Sequence, residues 1–109
     1  MTCDLWDVVV VPFPFTEKPV VKRRPALVVS RTAFNQAGHT VFAMITTKMD
    51  TPRPSDVEIK SRGATGLTAD CVVRLKVFTL DNRLIVQKIG ALSPHDQEQC
   101  RQQIDGCIA

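Results

Sequence analysis

The stretch DVVVVPFPF, residues 7–15, is almost continuously apolar and β-branched and closes on two spaced prolines. A run of that kind reads as a strand buried on both faces, ending where Pro12 and Pro14 cannot donate ladder hydrogen bonds. Downstream of it, past the polar and basic TEKPVVKRR, PALVVS (residues 25–30) reads as a second strand. Pro25 is expected at its first position, where a missing N–H matters least. RTAFNQAGH is a turn or one helical turn ending at Gly38, and TVFAMIT (40–46) is a third strand. After the proline-containing loop TKMDTPRPS, SDVEIKS is a short alternating strand with Val57 and Ile59 on one face. RGATGLT supplies two glycines for a turn. CVVRLKV then alternates, with Cys71, Val73, Leu75 and Val77 expected inward and Val72, Arg74 and Lys76 outward. TLDNR is a tight turn, and LIVQKIGAL (84–92) is the last strand.

The tail SPHDQEQCRQQIDGCI carries a helix signature: Ser93 at N-cap, Pro94 at N1 and Asp96 in the first turn. Cys100, Ile104, Cys107 and Ile108 recur at helical spacing and give one apolar stripe. Six short strands with no room for helical crossovers imply an antiparallel sheet. The expected fold is therefore mainly β (α+β): one domain over residues 1–109, a small, strongly curved sheet or barrel capped by an amphipathic C-terminal helix.

With 44% hydrophobic and 23% charged residues, the composition is that of a globular chain, and the longest apolar run is too short to span a bilayer. No export signal opens the sequence, so a cytoplasmic protein without membrane contact is expected. The four cysteines form no C-x-x-C pair, and His39 and His95 stand at no metal-finger spacing; no metal or other cofactor is expected. Cys100 and Cys107 would lie ~10 Å apart along a helix, beyond disulfide reach. All four read as reduced thiols, mostly buried.

The net charge of +3 is mild, but it is unevenly spread. Residues 16–62 hold nine Lys or Arg against four acids, whereas residues 63–109 balance five against five. A local basic excess of this kind suits a polyanion at short range or, equally, a solvated face. Arg24 stands at the mouth of the second strand and Thr46 leaves the end of the third. If those strands are neighbours, a planar guanidinium fork and a hydroxyl share one hollow, a pairing suited to a phosphoryl transition state. The plainer alternative is a surface ion pair for Arg24 and a strand-end hydroxyl for Thr46.

Taken in order, DVVVVPFPFTE, KRRPALVVS, MITTK, SDVEI, TGLTADCVVRLKVFTLD and KIGALS resemble the PemK/MazF-like toxins of type II toxin–antitoxin modules over nearly the whole chain. The resemblance implies an SH3-like barrel with a C-terminal helix (MazF/CcdB-like), usually a homodimer. It also implies metal-independent endoribonuclease activity on single-stranded RNA. The family's catalytic arginine, before the proline of its RP-A motif, corresponds to Arg24, and its catalytic Thr or Ser, after an isoleucine, corresponds to Thr46. The implied chemistry is attack of a ribose 2′-hydroxyl on the adjacent phosphate, leaving a cyclic phosphate and a 5′-hydroxyl. Lys22, Arg23 and Lys48, with Arg53, would contact phosphates, and Phe15 could stack a base or pack in the core or a dimer interface, as could Trp6. The implied partners are single-stranded RNA, messenger RNA in a growth-arresting role, and a cognate antitoxin whose acidic or amphipathic segment folds onto the basic groove.

None of the matched motifs offers an obvious proton acceptor; His39 is conceivable, although a solvated loop histidine is the plainer reading. Three departures stand out: Trp6-Asp7 where the family commonly has Gly-Asp, Pro19-Val20-Val21 in the loop before KRRP, and Cys71 at a usual serine, better suited to packing than to nucleophilic attack. Two alternatives remain open. One is a CcdB-like gyrase poison, which needs no arginine–threonine pair, and the other is an RNA-binding barrel without catalysis.

Overall fold

A computed structural model describes residues 1–13, 22–48 and 52–108. Phe15, Pro14 and the segment Pro19-Val20-Val21 lie outside the described residues, so the readings made of them are neither met nor corrected. Six strands form one curled antiparallel sheet, a half-barrel, in the order β4-β5-β3-β2-β1-β6. They are β1 (Asp7–Phe13), β2 (Lys22–Val28), β3 (His39–Thr47), β4 (Val57–Glu58), β5 (Cys71–Asp81) and β6 (Gln87–Ala91). A one-turn helix α1 (Thr32–Asn35) links β2 to β3, and α2 (Pro94–Cys107) closes the chain. As the sequence predicts, Ser93 caps α2 by accepting the Asp96 N–H, with Pro94 in the first turn.

The sheet is packed on both faces. On the helix side, Val8, Leu27, Ala43, Ile45 and Val73 join Trp6, Cys71, Leu92 and Cys100 in one cluster. On the far side, Val9, Val11, Phe13, Ala26, Val28, Phe42 and Phe78 form another. β1 alternates its side chains between the two, which is why its sequence is apolar at consecutive positions.

β5 departs from simple alternation. Ala43 pairs with Val77 but Met44 pairs with Arg74, so two extra residues, Leu75 and Lys76, bulge out of the β3–β5 ladder. Val77, expected inward, ends up 39% exposed at the end of α2, while Val72, expected outward, is buried on the far face. Arg74, expected outward, is half-buried. Its Nε and Nη2 donate to the two carboxylate oxygens of Asp56 at 3.1 and 2.9 Å, and the Asp56 side chain is 4% exposed. These bonds, with a further one from the Arg53 N–H, hold the Asp56 carboxyl below the usual carboxylate range and fasten residues 53–56 onto β5.

Two glycines fix the β6 end. Gly66 has φ +76°, and a Cβ there would meet the Ile89 carbonyl oxygen at 2.3 Å. A Cβ on Gly90 would meet the backbone of Ala64 and Thr65 at 2.3–2.6 Å. The TGL and KIG pieces are thus two halves of one backbone-to-backbone contact that admits no side chain. Trp6 is the opposite case. It adopts φ +75°, a conformation that costs most side chains about 1–2 kcal/mol. Its ring is buried in the helix-side cluster, with the Arg101 guanidinium 5.4 Å from the ring centre. Packing offsets that strain, and the Trp6 ring lies in the core, as the packing alternative expects.

Cys3, Cys71 and Cys100 are buried and Cys107 is exposed; all four are free thiols, and burial pushes Cys100 up to about 12. Two substitutions probe these contacts by thermal unfolding. Gly90→Ala should lower stability by roughly 1–3 kcal/mol through overpacking against backbone. Asp56→Asn should cost on the order of 3 kcal/mol by leaving Arg74 without its countercharge. A melting temperature within 2 °C of the unsubstituted protein would show that either contact is dispensable.

Candidate active site

The RRP sequence shapes the mouth between β2 and β3. β2 begins at Lys22, so Pro25 is its fourth residue rather than its first, and it sits in an interior strand where proline is unusual. The hydrogen-bond alternation explains how it is tolerated. The Val29 N–H donates to the Val41 carbonyl, so alternate residues of this stretch, Leu27 and then Pro25, address β3. Pro25 has no N–H to give, and the β2–β3 ladder stops at Ala26↔Met44. Continuing that register by two residues sets Arg24 opposite Thr46, at the point where the strands are no longer tied. Beyond that rung no ladder pairing joins β2 to β3 beside Arg24 and Thr46.

Both side chains also project on the same face. Thr46 alternates with Met44 and Phe42, and Arg24 with Ala26 and Val28, all turned to the side away from α2. Both are half-buried. Lys22 shares that face, paired across β1 with Phe13, while Arg23 alternates to the other face. The KRR triplet therefore does not act as one cluster: Lys22 and Arg24 belong to the mouth and Arg23 does not. Among the described residues none of the three carries an ion pair, which leaves the surface-pair reading of Arg24 without a partner there.

Along the same row, Thr46 pairs with Val72, and Val72 pairs with Glu58 on the edge strand β4. Here the surface dips into a hollow of ≈ 190 Å³ lined by Lys48, Pro52, Arg53, Asp56, Glu58, Val72 and Arg74. Lys48 and Arg53, both expected at an RNA-binding surface, are exposed on its rim. Lys48 Nζ donates to Glu58 Oε1 at 3.2 Å, a pair half open to solvent and so of little structural weight. Val72 gives the hollow an apolar floor.

His39, by contrast, opens β3 at the end opposite Thr46, across from Asp81. Seven residues of strand put it about 23 Å away, too far to share a phosphate with Thr46. Sequence reading missed Glu58 and the Asp56–Arg74 pair. The SDVEI alternation does place Glu58 opposite Val57 and Ile59, but which strand receives β4 depends on long-range pairing.

With a permanently charged fork, a hydroxyl, two lysines and a carboxylate converging on an open strand mouth, this face can hold a phosphodiester and offer it both positive charge and a proton acceptor. Among the described residues, no group of three or more His, Cys, Asp or Glu is arranged to hold a metal ion. No described helix is long and apolar enough to cross a membrane.

No curated protein matches the sequence. Solved structures do. An endoribonuclease in complex with its cognate antitoxin, from a mycobacterial species, superposes with a TM-score of 0.78 at 18% identity, covering 97% of this chain and 94% of that one. MazF from Deinococcus radiodurans gives 0.75 at 22% identity, covering 97% and 96%. The Mycobacterium tuberculosis toxin MazF-mt6 gives 0.74 at 19% identity, covering 92% and 93%. At such identities these likenesses establish the fold. The sequence itself matches the model of the PemK-like, MazF-like toxins of type II toxin–antitoxin systems across residues 4–107, and the chain belongs to that family.

Proposed function

We propose that this chain is a metal-independent endoribonuclease that cuts single-stranded RNA, messenger RNA in the first place, as the growth-inhibiting toxin of its module. The observation that supports the reading is the β2–β3 register, which ends at Ala26↔Met44 beside Pro25 and, carried two residues further, would set Arg24 opposite Thr46. A ribose 2′-hydroxyl is an internal nucleophile already held near its phosphorus, so attack needs orientation and charge stabilisation rather than a metal-generated hydroxide. Arg24 would neutralise charge building on the non-bridging oxygens, and Thr46 would fix one of them. Lys22, Lys48 and Arg53 would carry the flanking phosphates, giving an affinity that falls with salt.

Arg23 is the weakest member of the sequence-based set, because it alternates to the other face. Partners follow from the same surface. We infer an antitoxin that covers this mouth and a homodimeric toxin; the structural relatives include an endoribonuclease with its cognate antitoxin and a MazE–MazF complex. An acidic segment laid over Lys22, Arg24 and Lys48 would compete with RNA for the same charges.

The test is cleavage of an RNA in the presence of chelator, with the new ends sequenced and chemically typed. Expected products carry a 2′,3′-cyclic phosphate and a 5′-hydroxyl. Arg24→Ala should lower kcat by about 10²–10³-fold, the usual loss for one transition-state donor. Thr46→Ala should impair turnover while the melting temperature stays put, since a half-buried strand-end hydroxyl carries little core energy. Full activity in Arg24→Ala would end the reading. Intact RNA with salt-sensitive binding would favour the non-catalytic barrel, and inhibition of gyrase supercoiling without RNA cleavage would favour the gyrase poison.

A further inference from the structure

Deprotonation of the 2′-hydroxyl is the step that Arg24 and Thr46 leave unassigned, because a guanidinium stays protonated and a neutral hydroxyl is a poor base. We infer that Glu58 is the proton acceptor in this reaction; the assignment rests on the ribonuclease reading above. Glu58, Val72 and Thr46 are consecutive partners across β4, β5 and β3, so all three side chains project on the face that carries Arg24. Glu58 lies two strand spacings from Thr46, about 10 Å between backbones. Only the short apolar side chain of Val72 stands between them. A phosphate seated between Arg24 and Thr46 would turn its 3′-linked ribose over Val72 toward the Glu58 carboxylate, which lines the hollow and is half open to solvent.

Neighbouring carboxylates and the two histidines are less well placed. Both oxygens of Asp56 are taken by Arg74, and one also by the Arg53 N–H. Asp70 is paired with Arg62 and points into solvent, 81% exposed. His39 lies at the other end of β3, and His95 and Asp96 belong to α2 on the helix face. Charged groups lining the hollow with Glu58 are Lys48 just past β3, Arg53 and Asp56 from the preceding loop, and Arg74 from β5. Among these, Lys48 is its hydrogen-bond partner, through one oxygen. A phosphate that draws Lys48 away leaves the carboxylate available.

Glu58 takes the 2′-hydroxyl proton, and the 2′-oxygen forms its bond to phosphorus as the P–O5′ bond breaks. The departing 5′-oxygen keeps that electron pair and picks up a proton from water, giving the 5′-hydroxyl. The Glu58 carboxylic acid then returns its proton to solvent.

The experiment measures steady-state cleavage from pH 4.5 to 9 for the unsubstituted protein, Glu58→Gln, Glu58→Asp and Asp70→Asn. Binding is followed in parallel with an oligonucleotide that is 2′-deoxy at the scissile position. A carboxylate base must be ionised, so kcat/KM of the unsubstituted protein should rise with pH through an acidic limb. Glu58→Gln should lower kcat by about 10²–10³-fold and abolish that limb, with binding of the deoxy oligonucleotide unchanged within twofold. Glu58→Asp should keep the limb at reduced rate, and Asp70→Asn should match the unsubstituted protein. If the unsubstituted protein leaves RNA intact, the ribonuclease reading itself fails. If it cleaves, the assignment alone is overturned by Glu58→Gln within threefold of full kcat. It is likewise overturned by a Glu58→Gln loss that appears as weaker deoxy-oligonucleotide binding with the acidic limb intact.

Discussion

The candidate site depends on one missing hydrogen bond. β2 lies inside the sheet, tied to β1 on one side and β3 on the other, and its register with β3 decides which side chains meet. A slip of one residue would turn Arg24 to the helix face and bury nothing useful in its place. The apolar pattern forbids the slip, because Leu27, Ala43 and Ile45 would exchange faces with Ala26, Val28 and Phe42 in two clusters of different shape. Register is held by the core, and Pro25 then releases the last rungs. The result is an opening set by well-packed strands, a rigid mount for groups that must be placed to within a fraction of an ångström.

The two faces divide the work. The helix face carries the anchors: α2 packs on it, and Asp96, fully buried, accepts the N–H groups of Lys60 and Ser61 just beyond β4. That contact fixes the edge strand from behind and leaves its other side, with Glu58, on the face of Arg24 and Thr46. The Asp56–Arg74 pair does the same for the wall of the hollow. Buried ion pairs are seldom large net stabilisers, since desolvation offsets most of the attraction. This one joins a loop with few apolar residues to a strand, so its value lies in setting the loop's position.

Much of the fold was legible. The continuous apolar run of β1, the helix cap at Ser93 and the six-strand count all follow from local patterns, and the order of matched pieces pointed to the family. What was not legible involves contacts distant in sequence. The bulge at Leu75 and Lys76 exists because β5 must follow the curl of β3, and nothing in CVVRLKV marks it. Arg74 reads as a solvent-facing alternate residue until Asp56 is brought beneath it. Pro25 looked like a strand start because a proline inside an interior strand is unusual, and only the hydrogen-bond alternation shows why it is accepted. Lys22 and Arg23 read as loop cations for the same reason. Trp6 could not be told from a base-stacking aromatic, since its unusual φ and its burial under Arg101 are set by packing.

Charge at the mouth is mixed, and that mixture bears on mechanism. A surface built only to retain RNA would gain from uniform positive charge, whereas this hollow places Asp56 and Glu58 among Lys48, Arg53 and Arg74. Asp56 is neutralised within the protein by Arg74, which removes its repulsion toward phosphate while keeping the wall rigid. Glu58 differs: its Lys48 contact is half exposed, hence weak and easily exchanged for a contact to phosphate. An exposed carboxylate beside a polyanion site carries an electrostatic cost on binding, and its place in the row of Val72 and Thr46 is where the inferred proton transfer would use it. The same arithmetic explains why the basic excess of residues 16–62 is modest. Orientation of a few cations around one open strand pair, rather than their total number, is what this sheet supplies.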